Sequence, residues 1–151
     1  MLAALLRLDG ELFYIDGTPP QCVIKQLLLR KDNQIMALEL LPIALGLSTF
    51  ATQLAHRSVH VFSDNTGSEW CAKRGTARAW DHARIVHMIW KLLAMERVDA
   101  WFDRVPTSDN IADLPSRESY GLVEQLGGQW TKPVLHDSFS QLDSFEALSL
   151  R

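Results

Sequence analysis

Val59-His60-Val61-Phe62-Ser63-Asp64-Asn65 reads as a short strand that ends on a carboxylate. Alternation puts Val59, Val61 and Ser63 on one face and His60, Phe62 and Asp64 on the other. A run this apolar on both faces predicts a strand buried in a sheet with helices over both sides. An acid at the carboxyl end of such a strand sits where α/β sheets place their ligands. Taken alone, Asp64 reads equally as the cap of the following turn or helix. A chemical role therefore requires other carboxylates to converge on it.

Working outward, the segment before this strand predicts a helix over 33–55, with Ile35, Leu38, Leu41 and Leu45 on an apolar stripe. Pro42 lies inside it, removes a backbone donor and predicts a kink near Leu38. Glu39, flanked by Leu38 and Leu40, is either an edge residue reaching solvent or an acid held for a purpose. Further upstream, Leu2–Leu8 and Glu11–Asp16 are strand-like runs joined by Asp9-Gly10, a strong hairpin signal because both turn residues tolerate positive φ. Gly17-Thr18-Pro19-Pro20 breaks the chain, and Cys22–Leu29 reads as a third strand.

Downstream, 65–74 predicts a short helix stopped by Gly75. A clearer one follows over 81–96, with Ile85, Ile89, Leu92 and Leu93 on one face. Residues 98–105 alternate, with Val98, Ala100 and Phe102 on one side and Asp99, Trp101 and Asp103 on the other. Loop residues 107–110 precede a short helix at Ile111–Leu114, which Pro115 limits, and 120–126 adds a last turn or two. The order predicts an α/β domain, a mixed sheet flanked by helices.

Length and composition agree with one domain. The chain has 151 residues, 47% hydrophobic and 22% charged, which is globular composition. Cys22 and Cys71 show no metal-ligand spacing and no disulfide framework, which predicts a reducing, intracellular setting, cytoplasmic or nuclear. The longest apolar runs are too short to span a bilayer, and Leu2–Leu6 lacks the features of a signal peptide. The formal net charge of −3 argues against nucleic-acid binding, but the deficit lies wholly beyond residue 117. Residues 1–117 hold 13 basic and 13 acidic side chains, whereas 118–151 hold 2 and 5. Between 73 and 84, Lys73, Arg74, Arg78 and Arg84 oppose only Asp81, forming a basic patch that could meet phosphates or simply be solvated.

Three acids thus fall on separate elements: Glu39 on the long helix, Asp64 at the end of the central strand, Asp113 at the last helix. Carboxylates gathered from separate elements are how proteins hold hard divalent cations such as magnesium. Without a cation such a cluster repels itself and at least one pKa rises.

At these residues the chain resembles a known family. Leu38-Glu39-Leu40, Phe62-Ser63-Asp64-Asn65 and Asn110-Ile111-Ala112-Asp113-Leu114-Pro115-Ser116-Arg117 resemble the ribonuclease H domain of retroelement reverse transcriptases. The resemblance is strongest over 33–120. It implies a five-stranded mixed sheet flanked by helices, with domain 1–126 and a C-terminal tail, 127–151. It implies Glu39, Asp64 and Asp113 as catalytic ligands of Mg2+, with Mn2+ as a substitute. The implied reaction is hydrolysis of the RNA strand of an RNA–DNA hybrid. The implied partners are that hybrid and other domains of a retroelement polyprotein, with no membrane.

Two departures from the family pattern follow. The family carries a fourth ligand, an Asp on a first strand that lies mid-sheet. In one register Leu2–Asp16 matches the second and third strands, and the first strand would precede Met1. In the rival register Leu2–Leu8 is the first strand and Asp9 the ligand. The hairpin signal at Asp9-Gly10 favours the former, in which the chain is a fragment of a longer polyprotein or a decayed copy. The family's His before the last helix is also absent from 106–110.

The alternative function is a non-catalytic nucleic-acid-binding or protein-interaction module on the same fold. Trp70 and Trp80, interleaved with the basic patch, read as rim or core residues that could stack on a strand. Trp90 and Trp101 read as core or sheet-face packing. Arg117 is placed to pair with Asp113 or Glu118. His56, His60, His82 and His87 lack zinc-ligand spacing, and Cys71 reads as a small packing residue.

Overall fold

The structure, a computed structural model, describes residues 1–18 and 35–134. The strand expected at Cys22–Leu29 lies outside the described residues.

The chain opens with a hairpin, β1 (Leu2–Leu8) and β2 (Glu11–Gly17), paired antiparallel from Leu2–Gly17 to Leu8–Glu11. Asp9 and Gly10 turn it with φ of 50° and 91°, the left-handed conformations that the Asp-Gly signal predicts. Helix α1 (Ile35–Thr49) follows, and α2 (Ala51–Leu54) continues it after a break at Phe50. The single helix expected over 33–55 is therefore two pieces. Pro42 lies within α1, which carries on to Thr49.

Next come β3 (Ser58–Ser63), α3 (Thr66–Arg74), α4 (Trp80–Met95) and β4 (Asp99–Arg104). Both ends of α3 are set by local chemistry. The Asn65 side chain accepts a hydrogen bond from the Ser68 backbone N–H at 3.0 Å, and Gly75 closes the helix at a φ of 69°. The C-terminal part is a short 3-10 turn (Thr107–Asp109), α5 (Asp113–Ser116), α6 (Gly121–Gln125) and β5 (Gln129–Trp130).

The architecture is α/β, but its five described strands form two separate sheets. One is β1-β2-β5, in which β5 pairs parallel with β2 at Phe13–Gln129 and Tyr14–Trp130. The other is β3-β4, parallel from Ser58–Asp99 to Ser63–Arg104. The stretch beyond residue 126, expected to be tail, thus adds a strand to the first sheet. It is tied further by Thr131 N–H to the Tyr14 carbonyl at 2.8 Å and Trp130 Nε1 to Asp16 at 2.7 Å.

Helix α1 joins the two halves. Its Ala37, Leu40, Leu41 and Ala44 are buried, and α1 packs against α4, which buries Ile85, Val86, Ile89, Leu92 and Leu93. The stripe expected through Ile35, Leu38, Leu41 and Leu45 is rotated, because Leu38 and Leu45 are only partly buried. Leu2, Ala4 and Leu6 of β1 join the core from the hairpin side, and Ile15 is fully enclosed.

The central strand departs from expectation in one respect. Val59 and Val61 pack toward the core, but His60 and Phe62 are exposed, Phe62 at 57%. Trp101 on β4, opposite His60, is exposed at 60%. Among the described residues no helix lies across those side chains, so β3 is buried on one side only.

Candidate functional site

Strand β3 delivers Asp64 to the end of the small sheet. The cap that a strand-end Asp could supply comes instead from Asn65, the next residue, which leaves Asp64 available for another role. Glu39 sits near the start of α1, half-buried beside the fully buried Leu40. Asp113 opens α5, on a turn held by Asn110. The Asn110 carbonyl accepts from the Asp113 N–H at 3.1 Å, and its side chain accepts from the Ala112 N–H at 3.2 Å.

The three acids line one cleft. They also feel one another: the Glu39 carboxyl titrates above its ordinary value, first through burial, then through the charges of Asp64 and Asp113. The electrostatic coupling predicted for acids meeting from distant parts of the chain is therefore present. The cluster is partly countered, since Arg117 Nη2 lies 2.9 Å from Asp113 Oδ2, one of the two pairings the sequence offered. Among the described residues, no three His, Cys, Asp or Glu side chains close around a single point tightly enough to form a cation-binding group. The donors are thus of the kind magnesium takes, hard carboxylate oxygens under mutual repulsion, gathered around a cleft rather than closed into a cage.

Asp9 does not belong to this group. It stands at the hairpin tip and pairs with Arg57 at 3.0 Å, immediately before β3 begins. Asp64 follows the opposite end of β3, roughly 20 Å away along a strand of this length. Asp9 lines the same cleft but at its far end, a turn residue rather than a neighbour of the three acids.

The basic patch stands apart from the acids. Lys73, Arg74, Arg78 and Arg84 do not line the cleft. Lys73 pairs with Glu69 at 3.3 Å and with Asp103 at 3.6 Å, so part of its charge is matched within the chain. Arg74 lies over the Trp70 ring at 5.3 Å and Arg84 over the Trp80 ring at 5.4 Å. Both Trp residues are exposed, as rim residues are, and Arg78 is exposed as well. Trp90 packs on Phe102 and donates from Nε1 to the Ala72 carbonyl at 2.8 Å. Cys71 is a free, buried thiol whose pKa is pushed up by burial, in keeping with a packing role.

Two features escaped the sequence reading. Asp16, at the end of β2, accepts hydrogen bonds from the Tyr120 hydroxyl and from Trp130 Nε1, locking the C-terminal segment to the hairpin. The bond to Asp16 pushes the Tyr120 pKa up to about 12. No local signal marks Asp16, because its partners lie over a hundred residues away. The second is a further apolar side of α1. Leu38, Pro42, Ile43 and Gly46 line the cleft beside Glu39, a face that periodicity cannot separate from the packed one in so uniformly apolar a helix.

Comparison of the chain with protein-family models, with curated proteins and with solved structures returned no match. Among the described residues no helix is long and apolar enough to cross a membrane.

Proposed function

We propose that the chain is a ribonuclease H-like domain of retroelement origin whose acidic cleft serves metal-dependent hydrolysis of the RNA strand of RNA–DNA hybrids. The observation that supports this most directly is the coupling of Glu39 with Asp64 and Asp113. Three acids from a helix, a strand end and a second helix raise the pKa of one of their number at one end of a single cleft. Bringing acids together this way costs stability unless a cation or substrate chemistry makes use of them. The order of elements after the hairpin, helix with Glu39, strand with Asp64, helices, strand, helix with Asp113, keeps the three acids on separate elements, as this reading requires.

In this reading Glu39, Asp64 and Asp113 would hold Mg2+, which when bound would supply positive charge for water activation and for the leaving oxygen of a phosphodiester. The chain's own residues set the stage. Asn65 fixes the turn that carries Asp64, Asn110 fixes the turn that carries Asp113, and Arg117 restrains the Asp113 carboxylate. Arg74, Arg78 and Arg84 offer contacts to the nucleic-acid backbone away from the cleft.

A second reading, a non-catalytic binding module on the same fold, is favoured by one pair of observations. Arg117 already neutralises Asp113, and the described acids do not close into a ligand cage. The two separate in one assay, cleavage of an end-labelled RNA–DNA hybrid in Mg2+ or Mn2+ by the chain and by Asp64→Asn. The nuclease reading expects cleavage that falls at least about a hundredfold in the variant. No cleavage by either protein, with salt-sensitive hybrid binding retained, would establish the binding module instead, and equal cleavage by both would remove Asp64 from the proposed site.

A further inference from the structure

Arg117 is the cation that meets the three acids. Its Nη2 lies 2.9 Å from Asp113 Oδ2, one helical turn away along the chain. Among the described residues the other ion pairs join Arg57 to Asp9, Lys73 to Glu69 and Asp103, and His82 to Asp81, so none reaches Glu39 or Asp64. The second oxygen of Asp113 is engaged as well. Its Oδ1 stands 3.4 Å from the Ser116 hydroxyl, which also donates to the Asp113 carbonyl at 2.8 Å. Both carboxylate oxygens are therefore met by side chains within one turn of Asp113 itself.

This pair is arranged to open. The Arg117 backbone is fixed, because its N–H closes α5 on the Leu114 carbonyl at 3.0 Å. Its side chain is not, being 71% exposed against 30% for Asp113. An ion pair this open contributes little, since water solvates the guanidinium nearly as well as the carboxylate does. Releasing it moves no backbone. Asp113 is in the opposite position, because its charge adds to those that already crowd Glu39. A hard divalent ion suits carboxylate oxygens crowded in this way better than a guanidinium does. The two cations cannot share Asp113 Oδ2, because like charges at contact distance repel.

We propose that Arg117 and a divalent cation compete for the Asp113 carboxylate. Arg117 is a displaceable counter-ion: it balances part of the cluster's charge, sets how tightly the three acids hold metal, and swings to solvent when they do. The inference rests on the reading of Glu39, Asp64 and Asp113 as metal-holding acids and deepens it. Arg117 is then a positioning residue that acts through Asp113, and its role is to weaken metal binding rather than to support it.

The test uses the full chain at low ionic strength without nucleic acid. Mn2+ alone is the probe, and free Mn2+ is followed by electron paramagnetic resonance. Arg117→Gln is expected to bind Mn2+ about tenfold more tightly than the parent. Arg117→Lys, which keeps a positive charge within reach of the same oxygen, stays within about threefold of the parent. Arg57→Gln removes an equal charge at the far end of β3, where solvent and salt screen it, and leaves the affinity unchanged. Saturating Mg2+ moves the Arg117 Nε–H resonance, assigned by its loss in Arg117→Lys, toward that of free arginine.

Equal or weaker binding by Arg117→Gln would overturn the proposal. So would equal tightening in Arg57→Gln or Arg117→Lys, or an Arg117 resonance that stays put while metal binds. A role confined to holding α5 together would lower the melting temperature of Arg117→Gln without tightening Mn2+ binding. Each of these results, with Mn2+ bound by the parent and lost in Asp64→Asn, leaves the metal reading standing and removes only the counter-ion. No Mn2+ binding by either parent or Arg117→Gln, or binding that Asp64→Asn leaves intact, removes both.

Discussion

Both sides of α1 are apolar, yet one is sealed and the other only partly buried. The side built from Ala37, Leu40, Leu41 and Ala44 is sealed, with Ala37 and Leu40 at zero exposure. The side built from Leu38, Pro42, Ile43 and Gly46 borders the cleft and carries Glu39 beside it. The difference lies in what the rest of the chain supplies. Helix α4 offers a matching stripe to the first side, while the two sheets stop short of meeting over the second. Apolar character alone therefore does not say whether a surface is core; a partner element must exist to cover it.

The comparison is open to direct attack. Leu40→Ala removes a fully enclosed side chain and is expected to cost about 2–5 kcal/mol in urea unfolding, whereas Leu38→Ala on the cleft side costs less than about 1.5 kcal/mol. Equal losses would mean that the cleft side is as tightly packed as the other. Gly46→Ala tests the same border more gently. Its new methyl would stand 3.1 Å from the Ala4 side chain, a close fit that a slight outward shift of β1 relieves. Because β1 pairs only with β2 among the described residues, it can give way, and the gain in helix propensity should stabilise the protein by up to about 1 kcal/mol. A net loss of stability would show that the hairpin is pinned in place.

The smallest effect concerns Glu39. Its folded-state pKa is raised, so the native fold holds the proton more tightly than the unfolded chain does. The contribution to stability is present below the unfolded value and is lost as pH rises through the folded value. Glu39→Gln should therefore melt at nearly the same temperature as the parent in acid and slightly higher at neutral pH, in metal-free buffer. Mg2+ that binds the three acids should narrow or reverse this difference, and a parent that is the more stable at neutral pH without metal would contradict the crowding of the three charges.

Much of the local structure was readable from residue order. Asp9-Gly10 turned the hairpin, Asn65 and Gly75 bounded α3, and the apolar spacing at Ile85, Ile89 and Leu92 marked α4, because each signal acts within a few residues. The candidate acids were legible through their motifs, and Asp113's pairing with Arg117 through one helical turn. The exposed His60, Phe62 and Trp101 were not legible, since an apolar strand looks the same whether or not a helix covers its far side. Nor was β5, two residues long and paired with a strand over a hundred positions earlier.

By itself, then, the chain's order of residues determined most of the strands and helices before residue 126, several of their ends, and which three acids are candidates for one site. Tertiary structure alone decided that the strands divide into two sheets, that Glu39 meets the charges of Asp64 and Asp113, and that Asp9 does not. The physical reason is range. Dihedral preference, capping and periodicity are written within a turn or two of chain, whereas edge pairing, burial and charge crowding depend on elements that only folding brings together.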